Sequence, residues 1–150
     1  MTIFNTLDEV SAAVGADLGV SRWIDITQDR INAFADTTED RQWIHTDPVA
    51  AAAGPYGTTV AHGFLSLSLL AAFSEDLLIV EEARTGVNYG LNKVRFPAPV
   101  PVDSKVRGRG KLAAVDQIPG GIQVTMVVSV EREGSERPVC VGEFVLRLHA

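Results

Sequence analysis

The stretch that decides the fold is "VAHGFLSLSLLAAFSEDLL", residues 60–78. From about Gly63 to Asp76 its pattern predicts one helix that is apolar on nearly every side. A helix of that kind must be covered on most sides by other parts of the chain. The sequence after it is strand-like, with turn signals between the segments, at residues 84–96, 102–116, 121–133 and 138–148. These features predict an α+β fold, in which an antiparallel sheet of sequential strands curls around one long central helix.

Shorter helices are predicted before the central one. Residues 6–14 begin with Thr6 and have Glu9 three residues later, a reciprocal capping arrangement. Thr27 can cap a second helix through about Asp36, which has apolar residues at helical spacing. Asp47 followed by Pro48 is typical of the start of a further short helix. Residues 40–46, which lie between these helices, are therefore expected to form a loop.

The composition predicts a single cytoplasmic domain that spans residues 1–150. Hydrophobic residues make up 46% and charged residues 21%, the proportions of an ordinary globular protein. A net charge of −6 argues against a nucleic-acid partner, because phosphate contacts require a dominant basic surface. No window is apolar enough for a membrane helix and no basic leader is visible, so no membrane partner is expected. Cys140, the only cysteine, stands among apolar residues and is expected to be buried and unreactive.

The stretch "DRQWIHTDP", residues 40–48, holds the first candidate site. Asp40 and His45 are five residues apart, which on a helix would place them about 140° apart around the axis. In a loop the two side chains can converge, and an imidazole and a carboxylate that share a water can transfer protons to or from a weak acid. The alternative is that Asp40 is a polar residue at a helix end and His45 a hydrogen-bonded core histidine. A metal site is not expected, because His45, His62 and the aspartates lack zinc-ligand spacing and have no companion cysteine.

The second candidate is "AHGF", residues 61–64, where the central helix begins. No Ser, Thr, Asp or Asn at residues 60–62 can cap the first N–H groups, so these donors are free for a ligand. Gly63 allows close approach, and the positive end of the helix dipole suits a carbonyl oxygen that gains charge. Alternatively, Gly63 only relieves crowding at the helix start. Ser66 could bond to a substrate or, as is more common, to its own helix.

A basic strip between Lys93 and Lys111 holds six of the thirteen basic residues and one acid, Asp103. Four of the six share one parity along a predicted strand, so they point to one face of the sheet. That face is either an ordinary solvated surface or a surface that holds phosphates. The six residues are Lys93, Arg95, Lys105, Arg107, Arg109 and Lys111.

Three parts of the chain together resemble the MaoC-like dehydratase family, the (R)-specific enoyl-CoA hydratases of hot dog fold, and in particular its short, nodulation protein N-like members. They are "FADTTEDRQWIHTDPVAAAAGPYGTTVAHGFLSLSLL", "NYGLNKVRFPAPVPVDSKV" and the strand-rich tail. The shared motif is an Asp, a His five residues later, then "DP" and "AHG". The resemblance implies a single hot dog domain, homodimers that pair their sheets edge to edge, and no metal or redox cofactor. It departs from the family at residues 41–43, where "RQW" stands in place of the common "NP", so that Trp43 is expected to shape the pocket.

What the resemblance implies for function is an (R)-specific 2-enoyl-CoA hydratase of fatty acid metabolism, with an acyl-CoA as substrate. Asp40 and His45 would hold and activate the water, and the backbone N–H of Gly63 would polarise the thioester carbonyl. A hot dog thioesterase is an alternative, but it would need a carboxylate on or beside the central helix, and residues 63–74 contain none. A non-catalytic acyl-thioester binder would have no need of Asp40 and His45. The predicted substrate contacts are Trp43, His62, Ser66, Lys93, Arg95, Arg107 and Arg109.

Overall fold

The computed structural model describes residues 2–150, which form six helices and eight strands. The helices are α1 (Leu7–Ala12), α2 (Gln28–Thr38), α3 (Trp43–Thr46), α4 (Pro48–Ala52), α5 (Gly63–Ser68) and α6 (Leu70–Leu77). The strands are β1 (Thr2–Phe4), β2 (Asp17–Val20), β3 (Ile24–Ile26), β4 (Leu78–Val80), β5 (Thr85–Arg95), β6 (Ser104–Ile118), β7 (Gly121–Arg132) and β8 (Cys140–His149). The predicted α+β class and the four long strands are confirmed.

The main sheet is antiparallel, and its strand order is β2-β6-β7-β8-β5, with β3 also paired to β6. The prediction of wholly sequential pairing is correct for β6, β7 and β8 and wrong for β5, which pairs with β8. The reason lies in residues 96–101, "FPAPVP", which do not make a tight turn. They pair instead with the segment before α5, through a bridge from Val60 to Pro101 and a 2.8 Å bond from the Ala61 N–H to the Val100 carbonyl. This connection carries the chain from the edge strand β5 to β6, past β8 and β7 in the sheet.

The central helix is present but is not continuous. It divides into α5 and α6 at Leu69, whose φ of −70° and ψ of −11° depart from regular helix. The Ser68 hydroxyl donates to the Leu65 carbonyl at 2.7 Å, and hydroxyl bonds of this kind to the preceding turn bend helices. The prediction of apolar burial on nearly every side is also wrong at Phe64, which is 68% exposed. The helix therefore has one open side next to its start.

Glycines on β6 allow the sheet to approach α6 closely. A Cβ on Gly108 would lie 2.8 Å from Phe73 Cβ, and one on Gly110 would lie 2.9 Å from Leu77 Cδ1, both shorter than real contacts. Phe73 and Leu77 are fully buried, as are the inward-facing residues of β7. Cys140 belongs to the same core, where burial raises the pKa of its thiol to about 11, in accord with the expectation of a buried, unreactive cysteine.

The segment before the central helix corrects one prediction. Residues 43–46 form the single helical turn α3 rather than a loop, closed by a 3.0 Å bond from the Asp47 N–H to the Trp43 carbonyl. The predicted helix start at Asp47 is confirmed, since its carboxylate accepts from the N–H groups of Val49 and Ala50 at 3.0 Å. Asp40 lies outside both helices, two residues after α2 ends.

Within residues 2–150 the longest helix, α2, has eleven residues, and no helix is long and apolar enough to cross a membrane.

Candidate functional site

Asp40, His45 and His62 form a cluster, although they are separated by up to 22 positions in the chain. One carboxylate oxygen of Asp40 and one ring nitrogen of each histidine all lie within 4.8 Å of one another. Both histidines are buried, at 7% and 2% exposure, whereas Asp40 is exposed. The structure thus brings together the predicted pair of Asp40 and His45, with His45 on the helical turn α3 and Asp40 just before it. Their catalytic role stays a prediction.

Hydrogen bonding fixes the state of the His45 ring. Its Nδ1–H donates to the Val60 carbonyl at 2.6 Å, and since a carbonyl can only accept, the proton of the neutral ring is on Nδ1. Burial lowers the pKa of His45 below its ordinary value; the Val60 bond and Asp40 oppose this effect, and His62 adds to it. At neutral pH, Nε2 therefore keeps a lone pair, which is what a general base requires.

His62 lies behind His45 rather than at the surface of the site. Its ring stacks on that of His45, with centroids 3.8 Å apart and planes 24° apart, and the Phe34 ring is 4.9 Å away. Its Nε2–H donates to the Asp40 backbone carbonyl at 2.8 Å. Its Nδ1 is buried and has no hydrogen-bond partner among residues 2–150. His62 was predicted to contact substrate, but it is not among the residues that line the cavity described next.

An apolar cavity of about 410 Å³ adjoins this cluster. Three predicted site residues line it, namely His45, Gly63 and Ser66. Gly63 is the first residue of α5, and His62 before it makes no capping side-chain bond to that turn, as the sequence indicated. The remaining lining residues are Ile44, Tyr56, Val60, Ala61, Phe96, Pro97, Ala98, Pro99, Val100 and Val139. The cavity therefore combines a possible base and a helix start within otherwise mostly apolar walls.

Gly63 is closely covered by the Phe96 ring. A Cβ built at Gly63 would lie 3.1 Å from two carbon atoms of that ring. Ser66, nearby on α5, is 2% exposed and faces the cavity, whereas the hydroxyls of Ser68 and Ser74 donate to carbonyls of their own helices. The alternative reading of Gly63 is also supported in part, since glycine does relieve crowding against Phe96.

The wall formed by residues 96–100 was missed in the sequence, where "FPAPVP" was interpreted only as a turn. The signal that could have revealed it is the alternation of Phe96, Ala98 and Val100 between prolines, which is the pattern of an extended segment with one apolar face. The bonds from residues 59–61 described above hold this segment against the start of α5.

Of the seven predicted substrate contacts, only Ser66 lines the cavity. The Trp43 side chain is 44% exposed and packs on Gly54, where a Cβ would lie 2.8 Å from its ring. Lys93 and Arg95 are exposed on β5, and the Arg95 guanidinium donates to the Val94 carbonyl at 2.7 Å. The roles of these residues as substrate contacts stay predictions.

Arg107 and Arg109 point to the outer face of β6, as their parity predicted, and both are paired. Each donates from Nε to a different oxygen of Glu131 at 2.8 Å, and Arg107 also lies 4.5 Å from the centre of the Trp23 ring. Burial pushes the pKa of Glu131 upward, but the bonds from the two arginines outweigh it and leave that pKa lowered. The sequence count of one acid in the strip missed Glu131 because it lies on the neighbouring strand β7, opposite Arg107.

Asp40, His45 and His62 are close enough together to be considered as metal ligands, although their spacing in the sequence did not suggest a metal site. His45 Nδ1 and His62 Nε2 are occupied by backbone carbonyls, so only the opposite ring nitrogens are free. The two rings are stacked, with centroids 3.8 Å apart and planes 24° apart, and the lone pair of each free nitrogen lies in the plane of its own ring. With zinc–nitrogen bonds of about 2.0–2.1 Å, both cannot point at one ion as the rings stand. The expectation that no metal is needed stays a prediction.

Comparison with known proteins agrees with this geometry. The family model for the MaoC like domain matches residues 9–134. A 3-hydroxyacyl-thioester dehydratase Z from Mycobacterium tuberculosis is 49% identical over 148 residues, which is 98% of each chain. A nodulation protein N from Rhizobium leguminosarum is 41% identical over 143 residues, 93% of this chain and 89% of its own length. The unliganded R-hydratase from Pseudomonas aeruginosa superposes with a TM-score of 0.75 at 23% identity, covering 91% of this chain and 81% of that one. This likeness confirms the predicted hot dog fold, and the chain belongs to the MaoC-like domain family.

Proposed function

We propose that this chain catalyses the reversible hydration of a trans-2-enoyl-CoA to the (R)-3-hydroxyacyl-CoA. The prediction of a hydro-lyase, with hydratase or dehydratase activity, is confirmed by the family and by the near full-length identity with a 3-hydroxyacyl-thioester dehydratase. The finer assignment, of stereochemistry, carrier and residues, is our proposal. The observation that carries it is that His45, which has a lone pair on Nε2, lines one cavity together with Gly63 and lies within 4.8 Å of the Asp40 carboxylate.

In the proposed reaction, Asp40, His45 and the Gly63 N–H each have a separate role. Asp40 and His45 hold a water; as its oxygen bonds to C3, His45 Nε2 takes one of its protons, and a proton is delivered to C2 from the same pair. Negative charge develops on the thioester oxygen in between, and the Gly63 N–H at the start of α5 is placed to stabilise it. The reverse sequence of steps expels water from the 3-hydroxyacyl thioester. No electrons leave or enter the substrate, so the reaction needs no redox partner.

The surroundings of the cavity favour hydration over thioester hydrolysis. Residues 63–74 of the central helices include no Asp or Glu that could serve as a thioesterase carboxylate. The nearest acids on the central helices are Glu75 and Asp76, near the far end of α6, and Asp76 is paired with Arg22. The apolar residues at 96–100 provide a surface on which an acyl chain can be buried.

The dimer is part of the proposal. Strand β5 pairs with β8 on one side, and nearly all of its residues are exposed. An edge strand of eleven residues is a strong site for pairing with another strand, and a second copy of the chain would satisfy its N–H and C=O groups. Exposed Tyr89 and Leu91 on β5, with Phe64 on α5, would add apolar contact area.

The test is a spectrophotometric assay of the purified chain with crotonyl-CoA and longer 2-enoyl-CoAs, followed by chiral analysis of the product. We expect Asp40→Asn and His45→Gln each to lower kcat by about 10²- to 10⁴-fold, the usual cost of losing one acid–base group. Asp103→Asn is a matched control, because Asp103 is exposed and has a φ of 64°, which Asn tolerates well. Wild-type turnover in either folded site variant, or an (S) product, would contradict the assignment.

A further inference from the structure

We propose that His62 is a positioning residue, which holds the Asp40 segment, the His45 ring and the Gly63 N–H in one fixed arrangement. This inference rests on the proposed function and replaces the earlier expectation that His62 contacts substrate. It starts from the place of His62 in the chain, directly before Gly63, and from the burial of its whole side chain at 2% exposure.

The backbone of His62 fixes the first turn of α5. Its carbonyl accepts from the N–H groups of Leu65 at 3.0 Å and Ser66 at 3.3 Å. The orientation of the adjacent Gly63 peptide, the proposed donor to the thioester oxygen, therefore follows the backbone of His62. A shift of this residue would move that donor.

The side chain of His62 fixes the other half of the site. The 2.8 Å bond from Nε2–H to the Asp40 carbonyl spans 22 positions and joins the segment after α2 to the start of α5. Because the bond is to the backbone of Asp40, it fixes the position from which the Asp40 side chain extends and leaves the carboxylate oxygens free to bind other groups. Because α2 ends at Thr38, this bond is a direct link between Asp40 and the central helix.

The ring of His62 also limits the movement of His45. The two rings are stacked 3.8 Å apart, and the Phe34 ring lies 4.9 Å from His62. With Nδ1 of His45 bonded to Val60, two contacts define the plane in which its Nε2 lone pair points. The titratable groups that act on His45 are His62 and Asp40, and the group that α2 contributes is the neutral amide of Gln28, bonded to the His45 carbonyl at 2.8 Å.

The unpaired Nδ1 of His62 favours a positioning role for this residue over a role in binding substrate. Nδ1 is buried without a partner among residues 2–150 and does not reach the cavity lining. A proton there would have no acceptor in the described part of the chain, so the favoured ring form carries its single proton on Nε2. A histidine retained for substrate contact would be expected to present its free nitrogen to the cavity.

The test compares His62→Gln, which removes the ring, with His62→Phe, which keeps a ring but loses the bond to Asp40. His149→Gln, on β8, is the matched control. We expect both His62 variants to lower kcat by about 10²-fold, the cost of displacing catalytic groups by roughly 1 Å, with little change in KM. A raised KM at unchanged kcat would indicate substrate contact, and wild-type kinetics would indicate no role; either overturns the proposal.

A second measurement does not depend on variants that fold or on activity. Nitrogen-15 NMR of the wild-type histidines should show His62 protonated on Nε2 and His45 on Nδ1 at neutral pH. The opposite tautomer for His62 would overturn the proposal even if the enzyme is active. Conversely, a wild-type chain that does not hydrate enoyl-CoAs would refute the proposed function, while the tautomers would still decide whether His62 holds this arrangement.

Discussion

Replacing Gly63 with alanine tests the proposed oxyanion donor through the space that surrounds it. The added methyl would lie 3.1 to 3.2 Å from three atoms of the Phe96 ring, tighter than most real contacts. Because Phe96 is 44% exposed, its ring can move by a few tenths of an ångström, so the steric cost is small. Alanine also gains about 0.5–1 kcal/mol over glycine in a helix, which offsets that cost. We therefore expect the free energy of unfolding to change by less than about 1 kcal/mol.

Activity should change far more than stability. A methyl at this position narrows the approach to the Gly63 N–H, and losing one oxyanion donor costs about 10²- to 10³-fold in kcat, or about 2.7–4 kcal/mol. The assay is crotonyl-CoA hydration, with urea denaturation as the measure of folding. Asp103→Asn is again the control, because Asp103 is exposed and Asn tolerates its φ of 64°.

A double variant separates the two routes by which the methyl could act. If Gly63→Ala only displaces Phe96, the pair Gly63→Ala with Phe96→Ala should recover the kcat of Phe96→Ala alone. If the methyl blocks the N–H, the loss should persist in the double variant. Wild-type kcat in folded Gly63→Ala would refute the reasoning that an accessible N–H at the start of α5 stabilises the thioester oxygen.

Further predictions concern pH, the basic strip and the core. Burial lowers the pKa of His45, so kcat/KM should stay constant below pH 6.5 and fall only at more acidic pH. The free energy of unfolding should also drop as the pH falls from about 6.5 through the lowered pKa, because the unfolded state binds more protons. The variant His45→Gln should remove that drop. Replacing Arg107 and Arg109 with alanine should raise KM for the CoA thioester and make KM less dependent on salt. Glu131→Gln, which removes the charge paired with both guanidinium groups, should lower KM. An unchanged KM in both variants would show that the basic strip is only a solvated face of the sheet. Gly108→Ala should destabilise the fold by about 1–3 kcal/mol in urea denaturation, through its 2.8 Å approach to α6, and wild-type stability would contradict that packing.

The fold was predictable from sequence where short-range patterns decide structure. The strands at β6, β7 and β8 follow from alternation of apolar residues and from the turn signals between them, and α4 follows from Asp47 and Pro48. The partner of β5 was not predictable in the same way. Its pairing depends on where the "FPAPVP" segment packs, and that depends on contacts with residues 59–61, some 40 positions away in the chain. The break at Leu69 was hidden because propensity alone favours an unbroken helix.

In the candidate site, too, the features that depend on neighbouring residues were predictable and those that depend on distant residues were not. Asp40 and His45 are close in sequence, and their spacing indicated that they can converge, although part of the loop expected to allow this is the helical turn α3. What sets the protonation of His45 is not close in sequence: the Val60 carbonyl is 15 positions away, and the stacked ring of His62 is 17. A pattern of residue types can therefore indicate which groups carry out the chemistry. The lone pair that makes His45 a base, in contrast, depends on burial of the ring and on the Val60 carbonyl, and both arise only in the folded chain. The same holds for the arginines of β6, whose charges are partly offset by a glutamate on the neighbouring strand rather than by a residue of their own segment.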